Sequence, residues 1–337
     1  MSAQGVPPSR PGKPGGDGFD SSGQRSFVAR FMAYGEPLRA GTQGPQETAA
    51  AASRRMEPPA PQSRSLADIN PPPLPKAYLA LRRAIEDPLA TPASVAAVIS
   101  MDPGLAAYIL RLANSPLYGS ITRVETISRA VSLIGLGEIE TMAVGSVLRR
   151  LAEQPPRAEL LRLDDFWRHA VAVGLLARAL AERVGERGRE RFFVAGLLHD
   201  VGRLVLAVAE PDLAAIILGR AMDSRVSVDT AERLELGFDH AALAGRICEK
   251  WRLPELLAVA VAGHHQPSLC PDSLPAAAVH AADFMANALG VRATPAAGLP
   301  RLDPQVLAAF NLEQADPVEF QELLVDGLAA MTALVAA

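Results

Sequence analysis

Apolar residues recur along most of this chain at the three- and four-residue spacing of amphipathic helices. The first clear pattern covers Lys76–Glu86, where Leu79, Ala80, Leu81 and Ile85 are expected to face inward. No stretch alternates convincingly with the period of two that half-buried strands show. The pattern therefore predicts an all-α protein.

Capping residues mark where several of these helices begin and end. Thr91 and Asp102 each precede a proline, which combines a capping side chain with the residue best suited to the first helical position. A helix at residues 126–133 is expected to close on Gly135, and a longer apolar helix at 136–151 follows it. Two more helices are expected after residue 302, introduced by Asp-Pro pairs at 303–304 and 316–317, and they either dock back on the domain or pair with a partner.

The first 69 residues have a different composition. They are rich in Pro, Gly, Ser, Gln and Ala, and 13 of the 28 prolines precede residue 76, so this segment offers little from which to build a packed core. We expect it to be disordered. The apolar cluster at residues 27–34 (FVARFMAY) is either a non-specific feature of a floppy tail or a segment that docks on a partner.

Composition and charge exclude several classes of protein. The 337 residues are 49% hydrophobic, as in soluble globular proteins, and the net charge of −4 gives no reason to expect nucleic acid or an anionic membrane as a partner. Two cysteines, Cys248 and Cys270, are too few for a disulfide framework and are expected to be free thiols. No apolar run approaches a membrane span, and the N-terminus lacks the apolar stretch of a signal peptide, so we expect a cytoplasmic protein.

The residues capable of metal or acid–base chemistry lie on the core-forming helices. Residues 193–203 read FVAGLLHDVGR, an apolar run that ends in the adjacent pair His199 and Asp200. An imidazole or carboxylate buried without a partner costs several kcal/mol, so this pair must be satisfied. Such side chains are ligands for hard or borderline cations. Six further residues share a position near a helix end or on one helix face: Asp165, His169, His240, His264, His265 and Asp283.

Two local patterns each admit a second interpretation. Asp165 and His169 are four residues apart and share one helix face, so they could bind one ion, or they could be a helix-terminal charge and a hydrogen-bonded core histidine. His199 and Asp200 can address one cation only if the helix ends there, and Gly202 is expected to permit that end. Arg203 then either clamps a phosphate or forms the salt-bridge partner of a capping Asp200.

The later histidines sit beside helix termini. Asp239 is expected to cap a helix whose first turn holds His240, and the helix dipole is expected to keep that imidazole neutral, the state that binds metal. His264 and His265 follow an apolar helix at residues 254–262. His280 lies one turn before Asp283 and is expected to orient a ligand rather than to be one.

An ordered succession of short motifs runs through residues 70–290. The motifs are LP (74–75), DPGL (102–105), LANSPLYG (112–119), ISRAVSLIGL (127–136), GLLHDVGR (196–203), LGFDHAALAG (236–245), WRLPELL (251–257), AGHHQP (262–267) and HAADFM (280–285). Together they resemble the HDOD domain, an all-helical output module of bacterial signalling proteins related to the HD phosphohydrolases. We therefore expect an HD-domain-like multi-helix bundle of two packed lobes (70–155 and 156–290) between a disordered segment (1–69) and a C-terminal helical extension (291–337).

The resemblance also implies a set of metal ligands, and this sequence differs from the enzymes of the superfamily at two points. HD proteins bind metal through a His, a His-Asp pair and a later Asp, which match His169, His199, Asp200 and Asp283, and HD-GYP phosphodiesterases add positions that match Asp165, His240, His264 and His265. One or two divalent ions (Fe, Mn or Zn) are implied. However, Arg203 stands where those enzymes carry lysine, and HHQPSLC replaces the GYP signature. Hydrolysis of cyclic dinucleotides is therefore not supported.

Three functions are open on these grounds. The first is a cytoplasmic signalling adaptor of the HDOD type that binds a signalling protein partner, with a metal or a nucleotide as ligand and without turnover. The second is a metal-dependent phosphohydrolase with two ions held by the eight ligands, a bridging water as nucleophile and Arg203 as phosphate clamp. The third is a di-iron oxygenase. The near-complete ligand set favours an enzyme, whereas Arg203, the missing GYP and the general character of HDOD proteins favour the adaptor.

Overall fold

The computed structural model describes residues 66–115, 118, 123–152, 161–270, 273–294 and 298–335. Within these ranges the chain forms fifteen α-helices and three short 3-10 turns, and no strand occurs in them. The all-α prediction is confirmed. The helices are α1 Lys76–Glu86, α2 Pro92–Ser100, α3 Pro103–Ala113, α4 Ile127–Ile134, α5 Leu136–Ala152, α6 Leu163–Arg183, α7 Glu190–Leu198, α8 Val201–Ala209, α9 Pro211–Ser224, α10 Val228–Leu236, α11 His240–Lys250, α12 Glu255–Ala262, α13 Leu274–Ala288, α14 Pro304–Ala309 and α15 Pro317–Val335.

The predicted caps set the helix boundaries of the N-terminal lobe. The Thr91 hydroxyl accepts a hydrogen bond from the Ser94 N–H, and the Asp102 carboxylate accepts one from the Leu105 N–H. These bonds satisfy amide groups that the first turn of a helix leaves without an intrahelical partner. Gly135 ends α4 with a φ of 93°, a conformation that favours glycine.

The ordered chain begins before residue 70. Most of the segment predicted to be disordered, including the apolar cluster at residues 27–34, lies outside the described residues. At the end of this segment, Leu66–Asp68 forms a 3-10 turn and Ile69 is buried in the core. Ile69 and the partly buried Leu66 both pack against the core, so these residues belong to the folded domain.

Arg82 of α1 joins the two lobes. Its guanidinium donates to the Trp251 carbonyl oxygen at 2.9 Å, to the Tyr78 hydroxyl at 2.9 Å and to Glu140 at 2.8 Å. The inward face of α1 therefore carries Tyr78, Leu81 and Arg82, whereas Leu79, which we expected to face inward, is exposed. The buried guanidinium thus supplies a donor to a carbonyl oxygen of the second lobe.

The centre of the second lobe is a close packing of α6, α7 and α13. A Cβ atom at Gly196 of α7 would lie 2.6 Å from the Cα atom of Gly174 on α6, nearer than real Cβ contacts allow. The two glycines therefore let the helix backbones approach closely. This packing fixes the positions of the polar residues that α6, α7 and α13 carry.

The C-terminal helices dock back on the domain. The Asp303 and Asp316 carboxylates cap the starts of α14 and α15 as predicted. Helix α15 packs along α6, and it buries Phe320, Leu324 and Leu328. Of the two alternatives for this extension, packing on its own domain is the one that the structure shows.

One segment, Glu190–Ala209, is apolar and long enough to cross a membrane by length and composition alone, contrary to our reading of the sequence. It comprises α7 and α8, and 89% of its most apolar window is buried inside the protein. Its apolar character is therefore explained by its position in the core. A cytoplasmic location remains a prediction.

Candidate metal centre

Histidines and aspartates from separate helices meet at the centre of the second lobe. His169 lies on α6, His199 ends α7, and Asp283 lies on α13. The Nε2 atom of His169 is 3.1 Å from Oδ1 of Asp283, and Nε2 of His199 is 3.9 Å from the same oxygen. Residues more than a hundred positions apart in sequence therefore form one buried polar cluster.

Three of the imidazoles share one orientation. In each ring Nδ1 lies within hydrogen-bond distance of a backbone carbonyl oxygen, which can only accept, so Nδ1 carries a proton. In His199 and His264 the Nε2 atom then presents a lone pair, whereas Nε2 of His169 donates to Asp283. The pairs are His169 with Val291 at 2.9 Å, His199 with Gly196 at 2.7 Å and His264 with Val261 at 2.7 Å. The buried Nε2 atoms of His199 and His264 have no hydrogen-bond partner among the described residues.

The break between α7 and α8 places Asp200 beside these rings. Its Oδ1 atom lies 2.9 Å from His240 Nε2 and 3.5 Å from His199 Nε2. We expected Gly202 to permit this break, but Gly202 lies inside α8 and does not cause it. A Cβ atom there would lie 2.2 Å from the His240 carbonyl oxygen, so the glycine is needed for the close approach of α8 and α11.

His240 is held between two carboxylates. Glu232 Oε2 accepts from the His240 backbone N–H at 2.7 Å and lies 2.5 Å from its Nδ1, while Asp200 lies on the Nε2 side. Burial alone would lower the pKa of His240, but Glu232 and Asp200 raise it well above its ordinary value. The prediction that the helix dipole keeps this ring neutral is therefore wrong, since two full charges in contact outweigh a partial charge.

Burial lowers the pKa of three further histidines, His199, His264 and His265, whereas for His169 the effect of burial is outweighed by the hydrogen bond with Asp283, which raises the pKa of that ring. Burial, followed by the neighbouring imidazoles His199 and His240, lowers the pKa of His264 to about 4. Burial, together with His264, lowers the pKa of His265 well below its ordinary value. His265 Nε2 lies 2.9 Å from His240 Nε2, so the two nitrogens converge on one point. Neutral imidazoles are the form that binds a metal ion.

The two carboxylates of the centre stay ionised. Burial alone would raise the pKa of Asp283, but the hydrogen bond with His169 holds it at about 2. Burial would likewise raise the pKa of Asp200, but the Arg203 guanidinium and the imidazoles beside it hold the pKa well below its usual value. Anionic oxygens and imidazole nitrogens together form a suitable donor set for a divalent cation, which on binding would replace the protons that His169 and His240 share with the carboxylates.

Two predicted site residues have other partners. Asp165 shares the face of His169 but forms an ion pair with Arg162 at 3.3 Å and does not line the cavity described below. This is the helix-terminal charge that we weighed as the alternative. Arg203 donates to Asp200 Oδ2 at 2.7 Å and to the Thr294 hydroxyl, so the salt-bridge interpretation describes its contacts. Asp200 does not cap α8 with its side chain.

His280 lies behind the centre. Its Nε2 atom accepts from the Asp303 N–H at 2.8 Å, so its Nδ1 carries the proton that bonds the His264 carbonyl oxygen at 2.7 Å. The ring therefore positions the backbone of His264 and connects it with the C-terminal extension. This is the orienting role expected from the sequence.

The donor set fits a divalent metal. Ligand atoms about 2.1 Å from a tetrahedral ion lie about 3.4 Å apart. Four histidine–aspartate pairs here lie 2.9, 3.1, 3.5 and 3.9 Å apart, and the atoms of each group of three potential ligands lie within 4.8 Å of one another. The cluster borders a cavity of about 40 Å³ lined by His169, Asp200, His240, His265 and Asp283 among others. The unpartnered Nε2 atoms of His199 and His264 are what a site that binds a cation would leave in its absence.

Two residues of the centre were not identified from the sequence. Glu232 was missed, although Val228, Glu232 and Leu236 are spaced by four and all three are buried on one face of α10, so the spacing was a usable signal. Thr294 was missed because it belongs to an irregular segment, and only the tertiary structure brings it to Arg203.

The HDOD domain family model matches residues 72–267. A curated relative, an uncharacterized protein of Treponema pallidum (strain Nichols), is 27% identical over 206 residues, and the alignment covers 60% of this chain but only 39% of that protein. A candidate signal transduction protein from Marinobacter aquaeolei VT8 is 22% identical with a TM-score of 0.64, over 94% of this chain and 65% of that one. A candidate metal-dependent phosphohydrolase from Shewanella amazonensis SB2B is 19% identical with a TM-score of 0.58, and the match covers 80% of this chain and 95% of that one. At these identities the structural likenesses establish the fold alone.

Proposed function

The chain belongs to the HDOD domain family, and from that premise we propose that it is a signalling module that holds a divalent metal and binds a protein partner without turning over a substrate. The observation that carries the metal is the pair of buried, unpartnered Nε2 atoms of His199 and His264 in a ring of converging ligands. The protein partner rests on family membership and on the likeness to a candidate signal transduction protein.

The ligand atoms form three overlapping groups, each with its atoms within 4.8 Å of one another. The groups are His240, His264 and His265; His169, His199 and Asp200; and His199, His264 and Asp283, so that His199 and His264 each belong to two of them. Such a centre takes one or two ions of the Zn, Mn or Fe class. Arg203 fixes the Oδ2 oxygen of Asp200, so Oδ1 alone faces the ligands.

The size of the cavity supports a role without turnover. Its volume of about 40 Å³ accommodates ions and a few waters, whereas small-molecule pockets are typically about 300–1,000 Å³. The guanidinium of Arg203 is already bonded to Asp200 and Thr294. A nucleotide or a phosphodiester would have to displace these contacts before it reached the metal ligands.

A phosphohydrolase is the second candidate, favoured by the same ligand ring. A metal in the ring would supply a Lewis acid and an activated water. The chain itself would then orient that site through His169, His240 and Asp200, and Arg203 would have to exchange Asp200 for a substrate phosphate. This exchange is the step that separates the two proposals.

Metal analysis of protein purified without chelator or immobilised nickel tests both. We expect one or two equivalents of Zn, Mn or Fe per chain, loss of this metal in Asp200→Ala, retention in the matched control Asp223→Ala, which changes an exposed aspartate, and no hydrolysis of bis(p-nitrophenyl) phosphate. Hydrolysis that Asp200→Ala abolishes would overturn the proposal in favour of the enzyme. Absence of metal at micromolar supply would overturn the metal centre itself.

A further inference from the structure

A buried glutamate stands behind the metal-facing histidine of α11. Glu232 is 1% exposed and lies on the inward face of α10. Apart from Arg203, the side chains around it in a small neighbouring cavity are aliphatic, among them Leu206, Ile217 and Leu218. Such surroundings are unfavourable for a carboxylate unless specific hydrogen bonds hold it.

Both hydrogen bonds described for Glu232 go to one residue. Its Oε2 atom accepts from the backbone N–H of His240 at 2.7 Å and lies 2.5 Å from Nδ1 of the same ring. Gly237, in the left-handed conformation with a φ of 79°, turns the chain between α10 and α11 so that these residues meet. The glutamate therefore fixes both the position of the α11 start and the rotation of the His240 ring.

The bond to Nδ1 also selects a tautomer. Since a carboxylate only accepts, Glu232 keeps one proton on Nδ1 of His240. Without an ion, Asp200 Oδ1 accepts a second proton from Nε2 at 2.9 Å; a bound ion would replace that proton, and Nε2, which also lies 2.9 Å from His265 Nε2, would be the ligand atom. Nδ1 of His199 and Nδ1 of His264 are instead held by neutral carbonyls. An anionic acceptor makes the imidazole a stronger electron donor than a carbonyl does.

From this arrangement we propose that Glu232 is a positioning residue of the metal centre, which holds His240 in the Nδ1–H tautomer with Nε2 aimed at the ion. The inference rests on the proposed metal-binding function and names a residue that acts through His240 without touching the metal. A purely structural role, the anchoring of the α11 backbone N–H, is the competing explanation.

The test compares Zn²⁺ affinities by competition with a chromophoric chelator. Glu232→Gln keeps the size of the side chain and an acceptor for the backbone N–H, but its amide can donate to Nδ1 and so permit the wrong tautomer. We expect its Kd for Zn²⁺ to rise about 10- to 100-fold. The matched control is Glu235→Gln on the same helix, which pairs with Arg220 and contacts no histidine, and it should stay within about twofold.

A double-mutant cycle distinguishes positioning from anchoring. If Glu232 acts through His240, Glu232→Gln adds no further loss of affinity in a His240→Ala background, because the ring on which it acts is gone. In the Zn²⁺-loaded protein the ¹⁵N imidazole signals should show the Nδ1–H tautomer of His240 in the wild type and a mixture in Glu232→Gln. Glu232→Asp, whose shorter side chain withdraws the carboxylate, is a second variant that should also weaken binding.

The outcomes separate this inference from the proposed function. Wild-type affinity in both Glu232 variants, or additive losses in the cycle, would overturn the positioning role and leave the metal centre standing. No Zn²⁺ binding by the wild type would overturn both.

Discussion

Replacement of Gly202 by alanine tests the contact that brings Asp200 to His240. A Cβ atom at this position would lie 2.2 Å from the His240 carbonyl oxygen and 3.1 Å from the Ala244 nitrogen. Both atoms belong to the backbone of α11, so no side-chain rotation relieves the clash. Because Gly202 lies within α8, alanine suits its helical conformation, and the close approach of α11 decides the effect.

The size of the effect follows from the overlap. Helices α8 and α11 must separate by about 1 Å to reach an acceptable contact, and overpacking of this kind costs about 1–3 kcal/mol. In a domain of this size that corresponds to a fall in Tm of roughly 2–12 °C. The same displacement lengthens the 2.9 Å contact between Asp200 Oδ1 and His240 Nε2, so metal binding should weaken together with stability.

Gly219→Ala is the matched control, since a Cβ atom there has no atom within 4 Å and the residue also lies inside a helix. It should be neutral or stabilise by up to about 1 kcal/mol, because alanine is the better helix former. Differential scanning calorimetry and Zn²⁺ titration of the two variants measure both effects. A Gly202→Ala protein with the Tm and Zn²⁺ affinity of the wild type would show that α8 and α11 do not approach as described.

Two further predictions concern residues away from the centre. Arg82→Ala leaves the Trp251 carbonyl without its donor and Glu140 without its cation. It should therefore lower the free energy of unfolding, measured by urea denaturation, by about 2–4 kcal/mol. A loss below about 0.5 kcal/mol would contradict the described contact between the lobes. Burial raises the pKa of the Cys248 thiol to about 12, so this thiol is protonated at pH 8. A disulfide reagent at pH 8 should therefore modify only the partly exposed Cys270 until the protein unfolds. Rapid reaction of two thiols in the native protein would refute the burial of Cys248.

The helices and their boundaries could be predicted from the sequence because their causes are local. Apolar spacing, the caps at Thr91 and Asp102, and Gly135 act within a few residues, and the predicted helix Lys76–Glu86 is the one observed. The errors arose where a distant group decided the outcome. Leu79 is exposed, and the buried face of the helix instead includes Arg82, whose guanidinium bonds a carbonyl oxygen of the other lobe.

The composition of the polar centre was also visible in the sequence, since imidazoles and carboxylates on apolar helices require partners. Which of them meet was decided by the packing of α6, α7 and α13, which unites His169, His199 and Asp283 and leaves Asp165 with Arg162. The spacing of Asp165 and His169 places both on one helix face and does not indicate which of them reaches the centre.

The sequence by itself thus determined the helices, the family and the kinds of ligand, because each depends on neighbouring residues or on ordered motifs. Only the tertiary structure decided which nitrogen of each ring faces the centre and that Glu232 supports His240. The physical reason is that a tautomer and a buried charge depend on hydrogen-bond partners which, for residues such as His169 and Val291, lie more than a hundred positions away.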